Sequence, residues 1–316
     1  MTRLVRHWFL LVLAGGLTIA LLFPSQVRGA IGWLSPRVVI ALALFLMAWT
    51  MPTRRLTDEI RRPWGTLWAS LVSYGFCPLA AWGLSLFVAP DLRLGLFLCA
   101  SVPCTLASAV LWTRLAGGNE ATALLVTLLT TFTGWLVTPC WLLFLTGTQV
   151  EIHIGRMMLD LLLTLVLPVA VGQVAQAVPI LALVAERRKP FWSIVSQLFV
   201  LSIIFQAAAR VGERLREETV ALGWDAIALA LPIVLALHVG TLFFGWLGAG
   251  LLNFDGPRRS AIAFAGSQKT LPVSFLLYET YFQAAYPIAI LPILVYHVGQ
   301  LLIDTPIAAW LRPGEE

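Results

Sequence analysis

Charge is scarce in this chain. Asp, Glu, Lys and Arg make up 12% of the residues, against about a quarter in an ordinary soluble domain. No polar linker, low-complexity tract or soluble insert separates the apolar stretches, so a soluble enzyme or scaffold is excluded as the main body. Paired cysteine motifs are missing as well. Cys77, Cys99, Cys104 and Cys140 each stand in an apolar stretch without Cys-x-x-Cys spacing, which reads as buried thiols and not as a disulfide framework or zinc site. No run of Lys and Arg interleaved with aromatics lies outside the apolar runs. The net charge of +5 is therefore loop anchoring, and no nucleic-acid partner is expected. There is no Gly-rich phosphate loop followed by Lys and Ser/Thr, and no aspartate pair or His–acid motif at a membrane interface. These absences weigh against a membrane-embedded enzyme such as a lipid-linked transferase. No cofactor is implied.

What is abundant is apolar sequence, at 59% of the chain. Reading the apolar runs and their breaks predicts an all-α integral membrane protein with ten transmembrane spans: 8–25, 37–52, 65–89, 93–114, 120–147, 156–180, 190–210, 226–252, 260–279 and 283–310. The first of these follows Arg3 and Arg6 and reads as a retained span and not as a cleaved signal peptide. Lys and Arg are more numerous on the side of the N-terminus, where the richest loop carries Arg54, Arg55, Arg61 and Arg62. Both termini are thus expected in the cytoplasm of a cell-membrane protein. Five spans per half require the second half to insert from the opposite side. Residues 1–316 form one transporter domain of two inverted repeats, about 1–147 and 150–316.

Within span nine, Lys269 is the only charge between Arg259 and Glu279. Ten residues of helix rise about 15 Å, half of a roughly 30 Å hydrocarbon core, so the ammonium falls near the midplane. Insertion scales charge about 2.5–3.5 kcal/mol for it there. Around it runs Gly266-Ser267-Gln268-Lys269-Thr270-Leu271-Pro272, which is polar and bounded by Gly and Pro. Span four repeats the layout between Arg93 and Arg114, with Ser101-Val102-Pro103-Cys104-Thr105 at its centre. Two interrupted spans at matching positions of the two halves point to a secondary transporter's binding site. Thr138-Pro139 in span five and Thr305-Pro306 in span ten pair in the same way.

Two readings of Lys269 stand. In one it holds an anionic substrate or takes part in ion coupling, including proton coupling, since a desolvated lysine loses its proton readily. In the other it is a strut, hydrogen-bonded to unwound carbonyls or to Glu120. Beside it, Ser267, Gln268 and Thr270 offer donors and acceptors, as do Thr105 and Ser108 on the partner segment; they line a site or satisfy exposed backbone. Asn119 and Glu120 follow Gly117-Gly118, where Asn119 suits a helix cap and Glu120 the helix dipole, with site lining as the alternative. Thr127, Thr130 and Thr131 lie on the inner face of span five. His297 and Gln300 share a face of span ten, and His238 lies in span eight; packed hydrogen-bonding roles suit both histidines better than a relay. Asp160 and Asp304 fall near predicted span ends and are expected to be solvated.

The stretch Val102-Pro103-Cys104-Thr105-Leu106-Ala107-Ser108-Ala109-Val110, followed by Ala116-Gly117-Gly118-Asn119-Glu120-Ala121, resembles the fourth helix and following turn of the bile acid:sodium symporter (BASS) superfamily, in its SBF-like branch. Gly266-Ser267-Gln268-Lys269-Thr270-Leu271, with Pro292-Ile293-Leu294-Val295-Tyr296-His297 after it, resembles that branch's ninth and tenth helices. The resemblance covers most of the chain. It implies a core and a panel domain, with helices four and nine unwound and crossing, and transport of small organic anions that two sodium ions drive in the best-known members. In those members an acidic residue just before the Gly of the ninth-helix motif serves both sodium sites. Phe264 stands in its place here, Lys269 where a neutral amide is usual, and Ala109 where an asparagine follows the serine. Removing the carboxylate leaves only weak dipoles for a cation, so sodium-independent transport is the expectation. The alternative is a non-transporting regulator of calcium homeostasis, a role linked to eukaryotic relatives of the branch.

Overall fold

The computed structural model describes residues 8–51, 56–147, 153–216 and 224–312, and its regular structure there is all helical, with no strand. Arg54 and Arg55 of the basic loop lie outside the described residues, and the short helix α4 (Thr57–Arg61) follows them. Five of the six long apolar helices match expected spans closely: α5 (Trp64–Ser85), α8 (Glu120–Thr146), α9 (Ile154–Ala177), α11 (Lys189–Arg214) and α12 (Trp224–Leu251). The sixth, α15, covers Pro287–Leu311. Between Ala177 and Lys189 the short helix α10 (Pro179–Arg187) occupies what the sequence predicted as a loop.

Four expected spans take other forms. Span one is α1 (Trp8–Leu22) and α2 (Pro24–Ile31), bent by 112° where Pro24 lacks the N–H that would continue the ladder. Span two shortens to α3, Pro36–Trp49. Span four divides into α6 (Pro90–Ser101) and α7 (Ser108–Leu115), and span nine into α13 (Gly256–Ser267) and α14 (Leu271–Leu277). By length and composition, six helices among the described residues can cross a membrane, or seven if the bent pair is one span.

The helices pack in two groups. In one, α3 packs on α9 and α11, and α1 and α2 pack on α11. In the other, α13 packs on α5, α7, α8 and α12, while α15 packs on α6 and α12. The groups touch where α8 meets α9, where α11 meets α14 and α15, and where α3 meets α14. Two ion-pair systems stand at this junction. Arg210 of α11 grips Glu279 just beyond α14, through Nε–Oε1 at 2.9 Å and Nη2–Oε2 at 3.0 Å. Asp160 of α9 pairs with Arg37 at 2.9 Å and accepts from the Tyr281 hydroxyl. Asp160 is therefore half-buried and partnered, not freely solvated, because Tyr281 from the second group covers it.

Close packing inside the second group rests on Gly95. A Cβ there would lie 2.2 Å from the carbonyl oxygen of Ala289, which is backbone and cannot turn away. Gly95→Leu is expected to cost about 1–3 kcal/mol by overpacking and to lower the melting temperature in detergent. Gly83→Ala, where the added carbon meets nothing within 4 Å, is expected to melt no lower than wild type. Equal melting of Gly95→Leu and wild type would show that α6 does not seat on this turn.

Candidate functional site: the meeting of two broken helices

The breaks have local causes. Pro103 holds Val102 in extended backbone, with φ −77° and ψ 160°, and so ends α6 at Ser101. In the other break, Gln268 (φ −73°, ψ 137°) and Thr270 (φ −85°, ψ 110°) are extended before Pro272 enters the first turn of α14. Unwinding frees backbone groups that hydrocarbon cannot satisfy, and partners are supplied for them from neighbouring elements. Thr270 N–H donates to Pro103 O at 3.1 Å, joining the breaks directly. Thr138 Oγ1 donates to Ser101 O at 2.8 Å, Tyr296 OH to Ser267 O at 2.7 Å, and Cys104 N–H to Thr130 Oγ1 at 3.3 Å. Gln300 serves Lys269 twice: its Oε1 accepts from Lys269 N at 2.9 Å and its Nε2 donates to Lys269 O at 3.0 Å.

Lys269 is 2% exposed. Its ammonium donates to Ser73 O at 2.6 Å, Ser73 Oγ at 2.9 Å and Val102 O at 3.1 Å, with the Tyr74 ring 5.3 Å away. All three protons are engaged. Bonds to a charged group contribute about 1.5–3 kcal/mol each, enough together to outweigh an insertion cost of about 3 kcal/mol. Both carbonyls are free for sequence reasons. Ser73 sits in a π-turn of α5 in which Cys77 N–H bonds Val72 O, and the residue that would reach Ser73 O is Pro78, which has no N–H. Val102 O leaves the ladder because Pro103 follows it.

A second chain of bonds starts at the next residue. Ser108 Oγ donates to Gln268 Oε1 at 2.7 Å, and Gln268 Nε2 donates to Asp304 Oδ2 at 2.6 Å. Asp304 Oδ1 lies 2.8 Å from His238 Nε2, and the side chains of both acid and histidine are at 0% exposure. The expectation of a solvated Asp304 is overturned. Its position six residues before the expected span end at residue 310 suggested the water interface, but α12 and the break of span nine enclose it.

Of the residues singled out from sequence, Lys269, Gln268, Ser267, Thr270, Ser108 and His297 gather here, His297 through Nδ1 3.0 Å from Gln300 Nε2. Thr105 lies half-buried in the first break. Thr127 is buried and bonds Leu124 O of its own helix at 2.7 Å. Asn119 and Glu120 are elsewhere. Asn119 caps α8, its Oδ1 accepting from Ala121 N and Thr122 N, and its Nδ2 donates to Glu59 Oε1 at 2.7 Å. Glu120 pairs with Arg114 and not with Lys269. Cys77, Cys99 and Cys104 are buried, whereas Cys140 is exposed on α8, so the expectation of four buried thiols holds for three. Ser73 was missed altogether. Its only signal is a serine five residues before a proline inside an apolar helix. Among the described residues no three His, Cys, Asp or Glu side chains gather as a metal site.

Phe264 and Ala109, where the resemblance leads one to look for sodium ligands, are both at 0% exposure. Ala109 packs with Ala123, Val126, Ala261, Ile262 and Ala265 in one apolar cluster.

A multi-pass membrane protein with two interrupted helices meeting at a buried polar centre is thus defined. The model of the SBF-like CPA transporter family matches residues 7–313, and the chain belongs to that family. It is a transporter and not an enzyme. It is 26% identical to sodium/bile acid cotransporter 7 of Danio rerio over 318 residues, covering 96% of this chain and 93% of that one. It is 30% identical over 236 residues to the probable sodium/metabolite cotransporter BASS4, chloroplastic, of Arabidopsis thaliana, covering 71% and 53%. It is 26% identical over 292 residues to the uncharacterized sodium-dependent transporter YocS of Bacillus subtilis, covering 88% and 84%.

Gln300 alone supports both backbone groups of Lys269. Gln300→Leu is expected to orphan them at about 1–3 kcal/mol each and to lower the melting temperature by several degrees, whereas Gln300→Glu, which keeps the acceptor, loses less. Unchanged melting of Gln300→Leu would mean that the break does not depend on this side chain.

Proposed function

We propose that this chain is a secondary transporter of small organic anions that works without sodium, with Lys269 as a built-in cation. The observation that carries the reading is the ammonium held by Ser73 O, Ser73 Oγ and Val102 O. Oxygens that replace hydration around a buried positive charge are what a bound cation needs; here three suffice because the charge is a tethered ammonium with three N–H donors. The apolar packing of Phe264 and Ala109 supports the same reading, since neither supplies an oxygen. In a low dielectric the ammonium's field persists beyond its hydrogen bonds. α7 begins at Ser108 in the break, which adds the partial positive charge of a helix N-terminus. An anionic group near the crossing is stabilised by both. Relatives named as bile acid and metabolite cotransporters make carboxylates and sulfonates of that size the substrates to try first.

The wider arrangement belongs to the same proposal. The short α3, the bent α1–α2 pair, and the divided α6–α7 and α13–α14 each stand for one span, giving ten in two inverted five-span repeats. The group built on α3, α9 and α11 is the panel, and the group around the breaks is the core. Both termini face the cytoplasm of a cell membrane, and the Arg210–Glu279 and Arg37–Asp160–Tyr281 contacts clasp panel to core at one end.

In proteoliposomes, uptake of labelled bile acids and smaller carboxylates and sulfonates is expected to be equal in sodium and choline buffers. Lys269→Gln is expected to melt lower than wild type, because the carbonyls of Ser73 and Val102 lose donors, and to lose uptake per folded molecule at least about tenfold. A severalfold, saturable sodium stimulation of wild type, or normal uptake by Lys269→Gln, would end the reading.

A further inference from the structure

The cage around Lys269 does not account for Asp304 and His238. The carboxylate of Asp304 has N–H donors at both oxygens, Gln268 Nε2 and His238 Nε2. His238 is at 0% exposure, and its Nδ1 has no hydrogen-bond partner among the described residues. A neutral histidine that donates from Nε2 to a carboxylate leaves Nδ1 as a bare acceptor, so the pair carries one negative charge and one unused proton seat. A proton taken on Nδ1 gives an imidazolium–carboxylate pair of zero net charge, with no heavy-atom bond lost. A sodium ion has no such place, since it needs several oxygens and both carboxylate oxygens already face nitrogen-bound hydrogens.

The pair is also wired to the crossing. Gln268, which holds Asp304, is the residue at which α13 unwinds, and its other amide atom binds Ser108 at the start of α7. When His238 becomes cationic, its bond to the carboxylate strengthens and competes with the Gln268 bond. Loading a proton therefore changes the grip between the two broken helices. The other titratable groups around the pair are Tyr296, whose ring is 5.5 Å from that of His238, with His297 on the same helix. On the neighbouring elements, among the described residues, stand Lys269 and the thiols Cys77, Cys99 and Cys104, which act on Lys269 or Tyr296. Of these, Lys269 already has its three protons engaged, and each thiol and phenol is neutral when protonated.

We infer that His238 and Asp304 together hold the coupling proton of this transporter, taken from water on one side and returned to water on the other as the anion moves. The inference rests on the transporter reading above and supplies its driving ion. One proton and one monovalent anion move as a neutral sum. An outside-acid gradient of one pH unit then supports accumulation of up to about tenfold.

Two measurements test it. The first is a potentiometric titration of purified protein in detergent, which needs no substrate. Wild type is expected to bind about one more proton than His238→Gln over the titrated range, and Asp304→Asn to lose or displace that proton. The second is accumulation of the labelled anions in choline-containing proteoliposomes under the pH gradient, with a protonophore as control. Wild type is expected to accumulate label and to lose it on protonophore addition; in both variants, any movement that remains is expected to ignore the gradient. Superimposable titrations, or gradient-driven accumulation by either variant, overturn the proton site. If neither variant folds, wild-type uptake that ignores the gradient overturns it. If no tested anion moves in wild type at any pH, the transporter reading fails instead, and the titration still decides whether the pair binds the proton.

Discussion

An ammonium withdrawn from water needs three acceptors, and in a helical membrane protein almost every carbonyl is already taken. The Lys269 cage exists because two prolines release the carbonyls it uses. Pro78 deprives Ser73 O of its ladder partner, and Pro103 turns Val102 out of α6. The two oxygens come from different helices, so the lysine ties α5, the first break and the second break into one unit. The remaining backbone repairs follow from that constraint. Gln300, Tyr296, Thr130 and Thr138 each satisfy a group that unwinding has exposed, and they come from the two helices, α8 and α15, that pack alongside.

Span existence was legible where an apolar run is long and uninterrupted. The boundaries expected for α8 and α12 fall within two residues of those observed, since both runs end at polar turns and carry no break that a proline enforces. The interruptions were legible too, because Pro103, Gly266 and Pro272 cannot sit in a smooth lipid-facing helix. The bend at Pro24 was not. A proline near the end of an apolar run reads as a span terminus, and whether the chain stops or turns there depends on what the next turn packs against.

The site was half legible, and the division has a physical pattern. Side chains with unusual chemistry for their depth, such as Lys269 and Gln268, announce themselves. Partners that act through backbone oxygen, such as Ser73, leave almost no trace in composition. Asp304 shows the opposite failure. Its polarity was visible, but distance from a span end was taken as a measure of exposure. In a bundle where a neighbouring helix and a broken segment cover the same depth, burial is set by neighbours and not by position along the helix. His238 on α12 is the neighbour that mattered, and nothing in spacing links residues 238 and 304.

The two buried charges occupy adjacent residues' hydrogen-bond systems yet behave differently. Lys269 has its three N–H bonds fixed to Ser73 O, Ser73 Oγ and Val102 O, so losing its proton would leave one of them without this donor; its charge is tied to the packing. Asp304 and His238 retain an unused acceptor at Nδ1, so on the proposed reading their net charge can change with their bonds reweighted and not broken. Gln268 and Lys269 are consecutive in one extended segment, which places the constant charge and the variable one on the same hinge. When the variable charge is −1 it partly cancels the field of Lys269 at the crossing, and when it is neutralised that field is felt in full by any anion there. On the proton-coupled anion transport proposed above, proton and anion favour each other's presence by electrostatics alone, before any helix moves.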